Sequence, residues 1–147
     1  MTGFKISFCV GNKSIVSALK LLRSQYDFGM PYPAQKAAVA ALRGPRDTVR
    51  AQCAEYQRRR DVFLGALRNI GWNVPDSQGT MFVWLPVPAG YTSHSFCEAL
   101  MDRAGVIGTP GTAFGPMGEG YIRFALVKPA EELEEIARVI GESGLFE

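Results

Sequence analysis

Cysteine and histidine are scarce in this sequence: its 147 residues hold three cysteines, Cys9, Cys53 and Cys97, and one histidine, His94. The cysteines lie far apart and form no C-x-x-C pair, so a structural zinc site lacks its ligands. An odd number of thiols argues against a secreted disulfide framework, and reduced, mostly buried thiols in a cytoplasmic protein are the expectation. Charge excess is also missing. Sixteen basic residues face 14 acidic ones, a net charge of +2, which gives no electrostatic reason for a nucleic acid or an anionic membrane as partner. No stretch approaches the roughly 18 uninterrupted apolar residues of a membrane span. The opening Met1-Thr-Gly-Phe-Lys has no apolar run leading to a small-residue cleavage site, so no signal peptide is expected. Internal repeats and low-complexity tracts are absent as well.

What is present is the composition of an ordinary globular domain, with 47% hydrophobic and 20% charged residues. A chain of this size buries roughly 70% of the surface that its unfolded form exposes. Residues 4–10 are rich in β-formers and read as a strand. Asn12 suits the N-cap of a helix in which Ile15, Leu19 and Leu22 recur at helical spacing. Gly29, Pro31 and Pro33 make residues 26–33 irregular, and Pro33 opens a short Ala-rich buried helix closed by Gly44. The longest helix runs from near Asp47 to Gly71, with Val49, Cys53, Tyr56, Phe63, Leu67 and Ile70 near one stripe. Its triplet Arg58-Arg59-Arg60 is flanked by Glu55 and Asp61 and reads as a solvated helix face, not an RNA contact.

Strands are expected over 72–74 and 80–87, joined by a turn at 75–79. A helix capped at Thr92 or Ser93 follows and ends at Gly105, with Ser95 and Glu98 as an alternative capping box. A short strand over 106–108, a glycine- and proline-rich loop over 109–120 and a strand over 121–126 come next. Pro129 opens a last helix whose apolar side is Leu133, Ile136, Ala137 and Ile140. The order β-β-α-β-β-α from residue 72 onward describes a two-layer α/β unit. Residues 1–44 stand outside it, and a lone strand there has to find a partner or stay unpaired.

Two features carry chemistry. In the strand over 121–126, alternation puts Ile122, Phe124 and Leu126 on a core face and Tyr121, Arg123 and Ala125 on the other. A guanidinium there can grip a carboxylate by two parallel hydrogen bonds, or it can lie on a solvated face or pair with Glu119. The loop over 109–120 holds four glycines and two prolines. Such density lets a backbone approach a ligand or builds tight turns, with turn-building the default. It has neither G-x-x-x-x-G-K-[ST] nor G-x-G-x-x-G, so it is no nucleotide loop.

The motif Thr109-Pro-Gly-x-x-Phe-Gly-x-x-Gly-Glu-Gly-Tyr-Ile-Arg-Phe-Ala-Leu126 resembles the C-terminal signature of fold-type-I aminotransferases of class I/II. Met1-Thr-Gly-Phe-Lys-Ile-Ser-Phe-Cys-Val-Gly11 resembles the segment after the Schiff-base lysine of that family. Tyr56-Gln-Arg-Arg-Arg-Asp61 and Gly79-Thr-Met-Phe-Val-Trp84 are similar to its long interdomain helix and first small-domain strands. The similarity extends over essentially the whole chain and is greatest to the LL-diaminopimelate and aspartate/alanine aminotransferase subgroup. It implies the tail of the large domain over 1–44, an interdomain helix over 45–71 and the small domain over 72–147. It also implies that Arg123 binds the substrate α-carboxylate and that Lys5 stands where the family's arginine holds the phosphate of pyridoxal 5'-phosphate. Lysine keeps the charge of that arginine but not its planar grip, and Ser7 replaces the usual glycine.

By the same resemblance the catalytic lysine lies upstream of Met1, so the 147 residues would form a C-terminal portion with no catalytic residue of its own. That portion would be inactive alone and would serve an amino acid and a 2-keto acid within a longer enzyme. Self-association through residues 1–44, or a homodimer, is expected. A stand-alone, non-catalytic amino-acid-binding module, or a degenerate remnant, is the alternative.

Overall fold

The computed structural model describes residues 3–27 and 29–146, and the chain divides into two compact units, Met1–Thr48 and Val49–Glu147. In the first unit, α1 (Lys13–Tyr26) starts where expected: the Asn12 side chain accepts the Ser14 amide at 2.9 Å. The second helix, α2 (Tyr32–Arg43), has Pro33 in its first turn and ends at Gly44. Its expected burial is not found. Ala38 is its one buried residue, and Val39 and Leu42 on the same helix are exposed. The irregular stretch is also shorter than 26–33, since α1 includes Tyr26 and α2 begins at Tyr32.

Residues 4–10 form no strand, contrary to the reading of their composition. A strand exists only through a ladder, and among the described residues the regular elements of the first unit are helices, with no β-edge to offer. Phe8 and Val10 are exposed there, as are Ile15, Leu21 and Leu22 of α1.

The second unit is a two-layer α/β structure. Helix α3 (Asp47–Asn69) is continuous for 23 residues, and its C-terminal half carries the buried Phe63, Leu64 and Leu67. Val49 and Cys53, expected on the same stripe, are exposed, because the core reaches only the later turns of the helix. Of the thiols expected to be buried, Cys9 is exposed too and Cys97 is partly covered. Strand β1 (Phe82–Pro86), helix α4 (Ser93–Ala104), the two-residue strand β2 (Thr109–Pro110), strand β3 (Tyr121–Ala125) and helix α5 (Ala130–Glu142) complete the unit. The sheet is antiparallel with order β1-β3-β2, so the last strand in sequence is the central one. Trp84 pairs with Arg123 across β1–β3, and Thr109 pairs with Arg123 across β2–β3. Alternation therefore sends Val83, Leu85, Ile122 and Phe124 into the core, with Phe96 and Leu100 of α4 and Leu133, Ala137 and Ile140 of α5.

The expected β-β-α-β-β-α order loses its first strand, and its third strand shifts along the chain. Residues 72–74 are held outside the sheet by other hydrogen bonds. The Trp72 amide donates to the Leu67 carbonyl at 3.1 Å, its indole Nε1 donates to the Pro86 carbonyl at 2.9 Å, and the Val74 carbonyl accepts Nε and Nη2 of Arg68, both at 3.1 Å. The strand expected over 106–108 lies instead at Thr109–Pro110. Gly105 ends α4 in the left-handed region, and the Val106 amide is turned back to the Leu100 carbonyl at 3.2 Å.

The arginine triplet is not a purely solvated face. Arg58 is exposed and pairs with Glu131 at 2.5 Å. Arg59, its side chain 17% exposed, donates from Nη1 to the Leu126 carbonyl at 3.1 Å, from Nε to Glu55 at 2.7 Å, and lies over the Tyr56 ring. Arg60 donates to the Ser77 carbonyl at 3.0 Å. The second and third arginines thus fasten α3 to the chain segments that enter and leave the sheet. Among the described residues no helix is long and apolar enough to cross a membrane.

Candidate functional site

Arg123 lies in the central strand, on the sheet face opposite the core, as the alternation of 121–126 predicts. Its guanidinium carbon sits 4.2 Å from the ring centre of Phe82 and 4.4 Å from that of Phe114. Among the described residues no carboxylate reaches salt-bridge distance of it, and no buried side-chain nitrogen or oxygen lacks a hydrogen bond. The N–H groups of Arg123 therefore keep some access to solvent. Glu119, the local carboxylate weighed as a partner, is engaged elsewhere: its Oε1 accepts the Ser93 amide at 2.9 Å.

Aromatic side chains continue across this face. The Trp84 ring meets Phe114 edge-on and stacks on Tyr121, each at 5.6 Å between centres. Phe114, Trp84 and Tyr121 are all exposed, an unusual outlay of apolar surface beside an unpaired cation. The sequence contained a signal for part of this. Alternation over 80–84 puts Phe82 and Trp84 on one face, and Phe114 is an aromatic set in a glycine-rich loop.

That loop is built of two 3-10 turns, Gly111–Phe114 and Pro116–Gly118. Gly111 and Gly118 explain its composition. A Cβ on either would stand 2.0 Å from the carbonyl oxygen of the other, so no larger residue lets the two backbones cross. Gly115, between the turns, has φ of 120°. The loop thus follows the turn-building reading, and its product is the placement of Phe114.

Ser93 was not singled out as a site residue, and it holds the arrangement together. It is fully buried at the start of α4. Its hydroxyl donates to the Gly118 carbonyl at 3.2 Å and accepts the Tyr121 amide at 3.1 Å. One side chain so ties α4, the glycine loop and the first residue of β3 together. Thr92 and Ser95, on either side of it, form the capping box, in place of the alternative pairing of Ser95 with Glu98.

Lys5, the expected phosphate ligand, belongs to the first unit. It is exposed, with φ of 53°, and pairs with no carboxylate among the described residues. An open groove of about 440 Å³ in the same unit is lined by Ile6, Phe8, Met30, Val39 and Leu42 among others. No group of three or more metal-ligating side chains occurs among the described residues. Burial raises the Cys97 thiol above its ordinary pKa.

Residues 1–140 match the sequence model of the family described as "Aminotransferase class I and II". An LL-diaminopimelate aminotransferase of Dehalococcoides mccartyi is 48% identical over 135 residues, covering 92% of this chain and 35% of that protein. The L-glutamine--4-(methylsulfanyl)-2-oxobutanoate aminotransferase of Bacillus subtilis is 40% identical over 146 residues, 99% of this chain and 37% of that protein. A solved aminotransferase from Staphylococcus aureus has a TM-score of 0.90 at 33% identity, covering 100% of this chain and 39% of the other. The chain therefore spans little more than a third of the length of these relatives.

Proposed function

Because the chain belongs to the aminotransferase class I and II family, we propose that it forms part of a pyridoxal-phosphate-dependent aminotransferase in which Arg123 binds the substrate α-carboxylate. The reaction is transfer of an amino group between an amino acid and a 2-keto acid. One observation carries the reading: Arg123 presents an unpaired guanidinium on an open sheet face, while Glu119, the carboxylate close to it in sequence, is hydrogen-bonded to Ser93. In this reading residues 1–44 belong to the large domain, 45–71 form the interdomain helix, and 72–147 are the small domain.

The residues present fit the cofactor at one point. Lys5 offers an exposed ammonium with no carboxylate partner among the described residues, which suits a phosphate oxygen. When bound, pyridoxal phosphate supplies an electron sink for the charge left as the substrate Cα–H bond breaks. The part of this chain is positioning. Arg123 holds the carboxylate by two parallel hydrogen bonds and so fixes the orientation of the substrate Cα. The Phe82 and Phe114 rings beside the guanidinium add cation–π attraction and restrict its motion. The exposed Phe8, Val10, Ile15, Leu21 and Leu22 support self-association through residues 1–44.

The test is kinetic, on the holoenzyme that contains this chain. Arg123→Ala loses a charge-assisted bidentate contact, on the order of 3 kcal/mol, so kcat/KM falls about 150-fold. Arg123→Lys recovers only part of that, because an ammonium lacks the planar fork. A kcat/KM for Arg123→Ala within about threefold of the parent, a difference of roughly 0.7 kcal/mol, would refute the assignment.

A further inference from the structure

We propose that Phe82 and Phe114 are positioning residues that hold the plane of the Arg123 guanidinium, so that the site accepts a planar carboxylate in preference to a tetrahedral oxyanion of equal charge. The inference rests on the reading of Arg123 as the carboxylate ligand and names the pair of rings that make it selective. The two rings come from different elements, Phe82 from β1 and Phe114 from the first 3-10 turn, and the guanidinium carbon stands over both, 4.2 and 4.4 Å from their centres. A guanidinium on a flexible stem and without an ion pair is otherwise free to rotate, and ring contact removes that freedom.

Phe114 is itself held in place. The Gly111–Gly118 crossing anchors its turn, and the Trp84 ring packs edge-on against it at 5.6 Å, with Tyr121 stacked behind Trp84. Simple burial does not explain the ring, because Phe114 is 52% exposed. With rings over the guanidinium, its N–H edge is the side left for an incoming anion. A carboxylate lies in that plane with both oxygens on the edge. A sulfonate or phosphonate engaging the same edge projects a further oxygen out of the plane, toward a ring face that carries negative quadrupole charge.

The experiment follows the side-chain Nε–H signal of Arg123 by nitrogen-15 NMR in the full 147-residue chain, with acetate and methanesulfonate as probes. The parent is expected to show an upfield ring-current displacement of that signal, lost in Phe114→Leu and Phe82→Leu and retained in Phe114→Tyr. Acetate affinity is expected to fall about two- to fivefold in Phe114→Leu, with the preference for acetate over methanesulfonate reduced in step. Unchanged backbone dispersion in Phe114→Leu, together with recovery in Phe114→Tyr, separates this effect from misfolding. An Arg123 signal at the position of an exposed arginine in the parent overturns the clamp, even if acetate binds. An unchanged acetate-to-methanesulfonate ratio in Phe114→Leu overturns the selectivity. A ring-displaced signal that acetate does not move overturns the selectivity and, separately, the carboxylate reading on which it rests.

Discussion

Removing one oxygen at Ser93 is expected to loosen the whole candidate site. In Ser93→Ala the Tyr121 amide loses its acceptor and the Gly118 carbonyl loses its donor, at a position with no solvent exposure. Each buried polar group left without a partner costs about 1–3 kcal/mol. The Glu119 bond to the Ser93 backbone survives the substitution, so the loop stays tethered and the two costs are partly relieved by small shifts. A total of about 2–4 kcal/mol is expected, a large share of the roughly 5–15 kcal/mol that stabilises a typical domain.

Urea denaturation followed by tryptophan fluorescence reads this cleanly, because both tryptophans, Trp72 and Trp84, belong to the second unit. With a slope of about 2 kcal/mol per molar urea, the midpoint falls by about 1–2 M at unchanged slope. Glu119→Gln serves as control, since an amide oxygen still accepts the Ser93 amide; its midpoint is expected to move by less than about 0.5 M. A Ser93→Ala midpoint within about 0.3 M of the parent would show that the hydroxyl carries no such load, and the account of how β3 and the loop are joined would be wrong.

Four other outcomes follow from the same structure. Arg59→Leu is expected to destabilise the second unit by about 1.5–3 kcal/mol through loss of its charged bond to the Leu126 carbonyl, whereas Arg58→Leu, at an exposed ion pair, costs under about 1 kcal/mol. Equal urea midpoints for the two would return the triplet to a solvated face. Gly111→Ala forces a Cβ to within 2.0 Å of the Gly118 carbonyl oxygen and is expected to cost about 1–3 kcal/mol and to disturb Phe114; an unchanged thermal midpoint contradicts the crossing. Timed alkylation in the native state is expected to modify exposed Cys9 and Cys53 before Cys97. Burial raises the folded-state Cys97 pKa, so the unfolded thiol releases its proton first, and stability from this group declines as pH rises from the ordinary thiol range toward the folded value. A Cys97→Ala variant with the same alkaline decline removes that cause.

Much of the second unit was legible because local rules and tertiary packing agree there. Tyr121 to Leu126 alternate, Leu133, Ala137 and Ile140 recur at helical spacing, and Thr92 and Gly105 mark the ends of α4. Arg123 stood out for the same reason, as a cation on the face opposite an unmistakable core stripe. Residues 4–10 show the opposite case: their composition favours a strand, but composition does not supply a ladder partner. At residues 72–74 the competing partners, Leu67, Arg68 and Pro86, lie nearby in sequence, but their contacts follow neither the helical nor the strand period, so no pattern announces them.

The amino-acid order by itself settled the ends of α4 and the face of β3 on which Arg123 stands, because these depend on neighbours within a turn or a strand, and it carried the family resemblance through motifs spread along the chain. Tertiary structure alone decided that β3 is the central strand, that Glu119 is occupied by Ser93, and that Phe82 and Phe114 lie over the guanidinium. Those relations join separate elements, such as Ser93 with Glu119 and Phe82 with Arg123, or depend on a glycine crossing with no periodic signature. Only chain closure in three dimensions brings them together.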